Sequence, residues 1–106
     1  MEEEVLITIT EYKEELEVLG ITPKKIILYG SYAAGKAREH SDLDLLVVSD
    51  DFEDMDLWER LCLLGRARKG VVRPIEILGL TEEEFEAEGK GTFIGNEVKL
   101  KGIEVV

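Results

Sequence analysis

The spacing of apolar residues along the chain switches between helical and extended periods. Between residues 3 and 19 the apolar positions recur every three or four residues, which predicts an amphipathic helix. These positions are Val5, Ile9, Tyr12, Leu16 and Leu19. The run 6–9, in which residues 7–9 are β-branched, leaves the first half of this segment open to an extended form. Gly20 and Pro23 follow it, and both are residue types that end helices.

Short apolar runs predict strands at residues 25–29, 43–48 and 74–78. The first run is mostly apolar, so we expect it to lie centrally in a sheet. A short extended tail is expected at 103–106. Because strands alternate with helical patterns, the sequence predicts an α/β or α+β fold with a small sheet. The length of 106 residues predicts a single domain over residues 1–106.

A helical pattern lies between the second and third strands. Residues 57–69 predict a helix that packs on the sheet and ends at Gly70. On this helix we expect Cys62 in the core, and Trp58 in the core or at an interface.

A second helical signal follows the third strand. Thr81 and Glu84 have the spacing of a capping box, in which the threonine caps a helix and the glutamate reaches back to it. The short helix that they begin contains Phe85. Residues 93–100 predict a last helix, and residues 50–54 an acidic loop before residue 57.

The charge balance narrows the possible partners. With 13 basic and 24 acidic residues the net charge is −11, which repels nucleic-acid phosphates and argues against general DNA or RNA binding. A small polyanion would need a bound cation or a local basic patch. The one dense basic cluster, 66–69 with Arg73, is most simply a helix end that complements its dipole. Its alternative role is docking an acidic partner or a nucleotide.

Location is indicated by three simple features. No apolar run reaches the length of a membrane span. The opening residues MEEEV are acidic, whereas a secretory signal begins with basic residues. The single cysteine allows no internal disulfide. We therefore expect a cytoplasmic protein that does not enter the membrane.

Two aspartates one residue apart, Asp42 and Asp44, adjoin the apolar run 45–48. In a strand, residues i and i+2 project from one face with Cα atoms roughly 6.5–7 Å apart, so both carboxylates point the same way. Such pairs are most often solvated charges. Beside a buried strand they favour Mg²⁺, which prefers oxygen ligands, and two ions about 3.5–4 Å apart could share them. His40 is expected to be an exposed loop residue and not a metal ligand, because Mg²⁺ prefers oxygen ligands.

Gly30 and Ser31 end the first strand and begin a turn, which we expect to lead into about one or two helical turns before residue 41. Such a turn presents free backbone N–H groups and the positive end of a helix dipole, which attract phosphate. Glycine lets the backbone approach a phosphate closely, and the serine hydroxyl adds a donor. The alternative is an ordinary strand-to-helix turn with Ser31 as the cap.

Glu76 interrupts the third apolar run. If that strand neighbours the strand of Asp42, Glu76 completes a three-carboxylate cluster, in which it could ligate metal or accept a proton from an attacking hydroxyl. The alternative is an edge strand with one polar face. A phosphate-binding turn, paired carboxylates and a third acid together indicate transfer of a nucleotidyl or phosphoryl group, since this chemistry depends on positioning and charge neutralisation.

These residues also carry a family resemblance. Gly30-Ser31 followed by Asp42-x-Asp44 resembles the signature of the polymerase β nucleotidyltransferase superfamily. The longer stretch, LYGSYAAGKAR through SDLDLLV, is similar to the minimal nucleotidyltransferases of archaea and bacteria. The similarity covers most of residues 24–86, including the TEEEF stretch after the third strand. It implies a small mixed β-sheet flanked by helices, in the polymerase β-like nucleotidyltransferase fold.

The resemblance implies roles for the three acids. It places Mg²⁺, as two ions, at Asp42 and Asp44. Glu76 stands where these enzymes carry their third acid, which is usually aspartate. The longer glutamate side chain would still be able to reach the metal.

The resemblance also implies a nucleoside triphosphate, with ATP as the first candidate, over Gly30 and Ser31. Members of the family commonly have an arginine near position 34, where this chain has Ala34. That difference would weaken phosphate binding, or Lys36 or Arg38 would bind the phosphate in place of the arginine.

Many relatives act beside a HEPN-domain protein, as antitoxins that transfer AMP from ATP to that toxin. This chain contains no HEPN domain, so the resemblance implies a separate partner chain. The leading hypothesis is a Mg²⁺-dependent nucleotidyltransferase that places AMP on a hydroxyl of that partner and releases pyrophosphate. The second hypothesis is a non-catalytic antitoxin module that acts by stoichiometric contact, and Ala34 favours it. A structural protein without a ligand would leave the three acids unexplained.

Overall fold

The computed structural model describes residues 2–37 and 42–106. Arg38 and His40, two residues that the sequence analysis weighs, lie outside these ranges. The elements in chain order are α1 (Glu3–Val18), β1 (Lys25–Tyr29), β2 (Leu43–Val48), α2 (Leu57–Ala67), β3 (Ile75–Leu80), α3 (Glu82–Ala87) and β4 (Ile103–Glu104). Short 3₁₀ helices follow β2 and α2, at Asp50–Phe52 and Arg68–Gly70, and a π-helical segment, Ile94–Lys99, precedes β4.

The strands form one mixed sheet in the order β3-β2-β1-β4. β1 is antiparallel to both β2 and β4, whereas β2 and β3 are parallel. The predicted small mixed sheet flanked by helices and the central place of β1 are therefore confirmed. Because β2 and β3 are parallel and β1 opposes them, the start of β2, the start of β3 and the end of β1 lie at the same edge of the sheet.

Two apolar clusters cover the two faces of the sheet, since neighbouring residues in a strand point to opposite faces. One face packs against α1 and α2. Its strand residues include Ile26, Leu28, Leu43, Leu45 and Val47. Val5, Ile9, Tyr12 and Leu16 of α1 are each at most 1% exposed, so the predicted helical stripe is confirmed. The other face packs against Phe85 of α3 and Val98 of the π-helical segment.

Helix α2 faces the sheet with a different side from the one that the sequence predicts. Cys62 is exposed and Trp58 is 72% exposed, so the placement of these two residues in the core is wrong. The interface alternative for Trp58 stays open. The buried residues of α2 are Arg60, Leu64 and Ala67.

Arg60 gives the physical reason for this rotation. Its guanidinium donates hydrogen bonds to the carbonyl oxygens of Phe52 at 3.0 Å and Gly79 at 3.3 Å. It also pairs with Glu84 at 2.6 Å. The side chains of Phe52 and Leu64 pack against Gly79, where a Cβ added to the glycine would lie 3.0 Å from each of them. Partnered in this way, an arginine can be buried in place of an apolar residue.

The local signals around α3 are confirmed. The Thr81 hydroxyl accepts a hydrogen bond from Glu84 N–H, and a Glu84 carboxylate oxygen accepts one from Thr81 N–H at 2.8 Å. In the described parts of the chain, no helix is long and apolar enough to span a bilayer.

Candidate active site

The acids that the sequence singles out gather at the sheet edge where β2 and β3 begin. Asp42 directly precedes β2, and Asp44 lies within it. Glu76 is the partner of Asp44 across the parallel pair, while Tyr29 is its partner across the antiparallel pair. Partners in register have side chains on one face with Cβ atoms about 4.5–5.5 Å apart. Asp44 therefore has Glu76 on one side and Tyr29 on the other.

Asp44 is the electrostatic centre of this group. It is half-buried, whereas Asp42 and Glu76 are exposed. Burial raises the pKa of Asp44 above its ordinary value, the charge of Glu76 and a hydrogen bond with its carboxyl group raise it further, and the charge of Asp42 adds to them. A carboxyl group whose pKa is raised by burial and by neighbouring acids, as that of Asp44 is, favours a bound cation or a proton.

Gly30 lies directly against Asp44. Its φ of +72° is in the left-handed region, which favours glycine. A methyl group at this position would overlap the Oδ2 atom of Asp44. From the sequence, a glycine is expected here because it lets a phosphate approach the backbone. The structure gives a second reason, since the carboxylate of Asp44 occupies the space that a side chain would need.

The segment after Gly30 is a hydrogen-bonded turn in its described part. Ala34 N–H donates to Gly30 O at 3.1 Å, and Lys36 N–H donates to Ser31 O at 2.9 Å. The predicted regular helix is absent from residues 30–37, so the contribution of a helix dipole to phosphate binding is not supported there. Lys36 is exposed at the end of this turn, and Arg38 lies outside the described residues.

The turn still offers hydrogen-bond donors. The N–H groups of Ser31, Tyr32 and Ala33 donate to no other residue of the described chain. Successive free N–H groups in a turn form a concave site for an anion. A phosphate at this turn would therefore depend on backbone N–H groups and nearby cations.

Arg73 brings a positive charge to the same region. Its guanidinium lies 4.8 Å from the centre of the Tyr32 ring, in a cation–π contact. Arg68, from the same basic cluster, donates a hydrogen bond to Ile75 O at 2.8 Å. From the sequence, this basic cluster is expected to be a helix end that complements the helix dipole. The structure places Arg73 against the turn instead, because the chain reverses between α2 and β3.

Tyr29 is a member of the site that the sequence analysis did not single out. It is 8% exposed. Burial, followed by the charges of Asp44 and Glu76, raises its pKa to about 12. Its hydroxyl therefore keeps its proton at neutral pH and remains a hydrogen-bond donor. The available signal was its position as the last strand residue before Gly30, but the antiparallel register that pairs it with Asp44 was unknown.

The acids fit Mg²⁺ in their chemistry but do not form a finished metal site. Within residues 2–37 and 42–106, no three His, Cys, Asp or Glu side chains are arranged to hold an ion. Asp44 and Glu76 adjoin each other, and Mg²⁺ is commonly held by one or two carboxylates together with substrate phosphates. The oxygen donors thus suit an ion that arrives with a triphosphate.

Known proteins share both the sequence and the fold of this chain. A family model described as a nucleotidyltransferase domain matches residues 9–105. A protein of Methanocaldococcus jannaschii, named "Putative protein adenylyltransferase MJ0604", is 41% identical over 73 residues, which are 69% of this chain and 69% of that protein.

Two solved structures are similar. One, described as a "putative nucleotidyltransferase" from Sulfolobus solfataricus, has a TM-score of 0.67 at 21% identity and aligns with 93% of this chain and 77% of its own. At that identity it supports the fold alone. The other, with the same description, has a TM-score of 0.50 at 33% identity and aligns with 74% of this chain and 83% of its own. Since the family model spans most of the chain, the protein belongs to the nucleotidyltransferase domain family and is a nucleotidyl-transfer enzyme.

Proposed function

We propose that this enzyme transfers AMP from ATP to a hydroxyl of a separate partner protein, with Mg²⁺ as the required cation. The observation that carries the proposal is the position of Asp44, which has Glu76 beside it and the Gly30 turn against it. Similarity to a relative named as a protein adenylyltransferase supports AMP as the transferred group and a protein as the acceptor. The HEPN-type toxin implied by the family resemblance is the partner class that we propose.

Asp42 and Asp44 are proposed to hold the metal, with Glu76 as the third acid. When bound, Mg²⁺ would neutralise negative charge on the carboxylates and the triphosphate and polarise the phosphoryl oxygen. Glu76 is proposed to accept the proton of the attacking hydroxyl, and its exposure and its position beside Asp44 support this role. The acceptor oxygen forms a bond to the α-phosphorus, the bond to the β-phosphate oxygen breaks, and pyrophosphate leaves.

The turn is proposed to hold the triphosphate. The N–H groups of this turn that have no acceptor among the described residues suit phosphate oxygens, and Lys36 and Arg38 are the proposed cations that balance the phosphate charge. Binding that aligns the α-phosphate with the acceptor supplies much of the rate acceleration in such reactions.

The experiment is transfer of label from α-labelled ATP to a protein that co-purifies with this chain, with and without Mg²⁺. We expect labelling that requires Mg²⁺ and that disappears in the double variant Asp42→Asn with Asp44→Asn. The matched control is Asp54→Asn, which changes an exposed acid of the loop before α2. Transfer by the double variant at the wild-type rate would disprove the assigned mechanism.

A second candidate is a module that binds its partner without catalysis. It is favoured by Ala34, an exposed residue that places no cation in the turn. Calorimetry of the isolated chain with Mg-ATP separates the two functions. Micromolar or tighter binding supports the enzyme, whereas no binding together with tight capture of the co-purifying protein supports the module.

The cytoplasmic location remains a prediction.

A further inference from the structure

An exposed aromatic ring lies beside the candidate site. Phe93 directly precedes the π-helical segment and is 56% exposed. The centre of its ring is 5.9 Å from that of Tyr29, with the ring planes at 80°. Because Tyr29 is the register partner of Asp44, Phe93 lies over the face of the sheet that carries the acids.

The backbone around Phe93 is held in place by its neighbours. The Thr92 hydroxyl donates to Gly89 O at 2.9 Å and accepts from Gly95 N–H at 2.9 Å. Asn96 N–H donates to Thr92 O at 2.9 Å. A segment whose backbone is held in place before a ligand arrives loses little conformational freedom on binding.

We propose that Phe93 stacks against the nucleobase of the triphosphate, an inference that rests on the proposed function. Every nucleobase has a π face, so a bare aromatic ring supports stacking without strong selection among bases. Edge-to-face contact with Tyr29 orients the ring and leaves much of its surface open. This assignment predicts that ATP and GTP bind with similar affinity.

The test compares Mg-ATP with Mg-tripolyphosphate, which lacks the base and the sugar. Phe93→Ala is expected to weaken Mg-ATP binding about 5- to 100-fold, the range that stacking of one base supports, and to leave tripolyphosphate binding unchanged. Phe93→Trp should retain the ATP affinity. Leu100→Ala, which truncates another exposed apolar side chain of the same region, is the matched control.

The outcomes separate this inference from the function on which it rests. If the wild-type chain binds ATP and Phe93→Ala binds it equally well, the stacking role alone is disproved. Equal losses for ATP and tripolyphosphate would also disprove it, because they would indicate a general disturbance of the site. If the wild-type chain binds neither ligand, the proposed function fails, and the role of Phe93 fails with it.

The outer face of α2 is defined here by residues Trp58, Glu59, Leu61, Cys62, Gly65 and Arg66. Trp58 is 72% and Leu61 43% exposed. These positions recur at helical spacing, so the side chains form one stripe on the side of α2 away from Arg60 and Leu64. Exposed apolar side chains that cluster on one face are a common feature of interaction surfaces.

The charges along α2 would be complementary between two copies of the helix that run antiparallel. Glu59 lies near the start of α2, with Asp54 in the loop before it, while Arg66 lies in its last turn and Lys69 in the 3₁₀ helix that follows. Within the described chain, none of these four residues forms an ion pair. Two copies of α2 running antiparallel would place the basic end of each against the acidic end of the other. Cys62, at the middle of Leu57–Ala67, would then lie near the twofold axis.

We infer that a second copy of this chain docks on the outer face of α2. Gly65 leaves room for the partner's Trp58, since nothing lies within 4 Å of its would-be Cβ. A helix of 11 residues is only about 16 Å long, so the buried area is small and a dimer in the micromolar range is expected.

Sedimentation equilibrium over a range of micromolar concentrations tests this dimer. Trp58→Ser with Leu61→Ser should raise the dissociation constant at least about 10-fold, whereas Val18→Ser, at an 80% exposed site on α1, should not. Arg66→Glu should weaken the dimer, and adding Glu59→Arg to it should restore association. Monomer at every concentration, or no recovery in the charge-swapped variant, would overturn the inference.

Discussion

Gly30 shows how one residue joins the turn to the acids. Its left-handed backbone makes the turn, and its missing side chain leaves space for Asp44. The sequence shows that a glycine precedes Ser31, but a contact between residues 30 and 44 depends on how β1 pairs with β2. Only the structure therefore shows that a methyl group here would disturb the turn and the acids together.

Gly30→Ala and Gly35→Ala separate these two effects. Both glycines have positive φ, +72° and +70°, but nothing lies within 4 Å of a Cβ at Gly35. Each variant should lose about 1–2 kcal/mol from backbone strain, and Gly30→Ala should lose more through overlap with Asp44. Urea denaturation measures the difference. Equal losses in the two variants would contradict the contact.

Asp44→Asn should stabilise the metal-free protein and lower the activity that is measured with Mg²⁺. Because the pKa of Asp44 is raised in the folded protein, its protonated carboxyl group stabilises the fold. This contribution is full below the unfolded pKa and is lost as the pH rises through the folded pKa. At pH 7 the ionised carboxylate is therefore unfavourable, and asparagine removes that charge. AMP transfer should fall about 100-fold or more, because a catalytic metal supplies several kcal/mol.

Thermal melts from pH 3 to 8 without metal check the stability part. The gap between Asp44→Asn and wild type should widen with rising pH. Addition of Mg²⁺ should raise the melting temperature of the wild type and leave that of the variant nearly unchanged. A variant that is less stable than the wild type at pH 7 would disprove the electrostatic account.

At the scale of elements, the strands and caps agree with local patterns. β1 and β2 have the predicted bounds, while β3 runs to Leu80, two residues further than predicted. The orientation of α2 was mispredicted because apolar residues occur on both of its sides, and Arg60 decides between them. Helical spacing alone does not show that a buried arginine will find carbonyl partners in distant segments.

Glu84→Gln tests the junction between α2 and α3. Glu84 accepts from Thr81 N–H and pairs with Arg60, and the pairing with Arg60 is the main reason that its pKa lies below 4.5. A lowered pKa gives stability that is present above the unfolded pKa and is lost as pH falls through the folded pKa. Because Glu84 is 45% exposed, we expect a loss of only about 1–2 kcal/mol at pH 7.

Urea denaturation at several pH values measures this loss. The difference between Glu84→Gln and wild type should begin to shrink below the unfolded pKa of about 4.3 and disappear as the pH falls through the lower folded pKa. Glu83→Gln, in the exposed first turn of the same helix, is the control. A difference that is independent of pH would indicate that the charge on Glu84 does not matter.

At the scale of the whole molecule, net charge opposes compactness. The radius of gyration is 13.1 Å, about the value expected for a compact domain of 100 residues, and the net charge is −11. Some of the acids are balanced locally. Lys24, for example, lies 2.7 Å from Asp50 and 2.6 Å from Glu82. The remaining like charges are close enough to repel one another at low ionic strength.

Raising the ionic strength from 0.01 to 0.15 M should therefore stabilise the fold. Screening shortens the Debye length from about 30 to 8 Å, and we expect the melting temperature to rise by about 4 °C, which corresponds to roughly 1 kcal/mol. Differential scanning calorimetry measures the change, with sucrose of equal osmolarity as the uncharged control. A fall in the melting temperature would show that attractive ion pairs dominate.

The sequence by itself determined the features that depend on neighbours along the chain. These are the apolar stripe of α1, the central strands, the capping box at Thr81, and the spacing of Gly30-Ser31 and Asp42-x-Asp44 that marks the family. The tertiary structure alone decided that Asp44 lies between Glu76 and Tyr29, that Phe93 joins them, and that Trp58 and Cys62 face outward. Strand register and helix rotation depend on contacts between residues far apart in the chain, and local periodicity contains no record of those contacts.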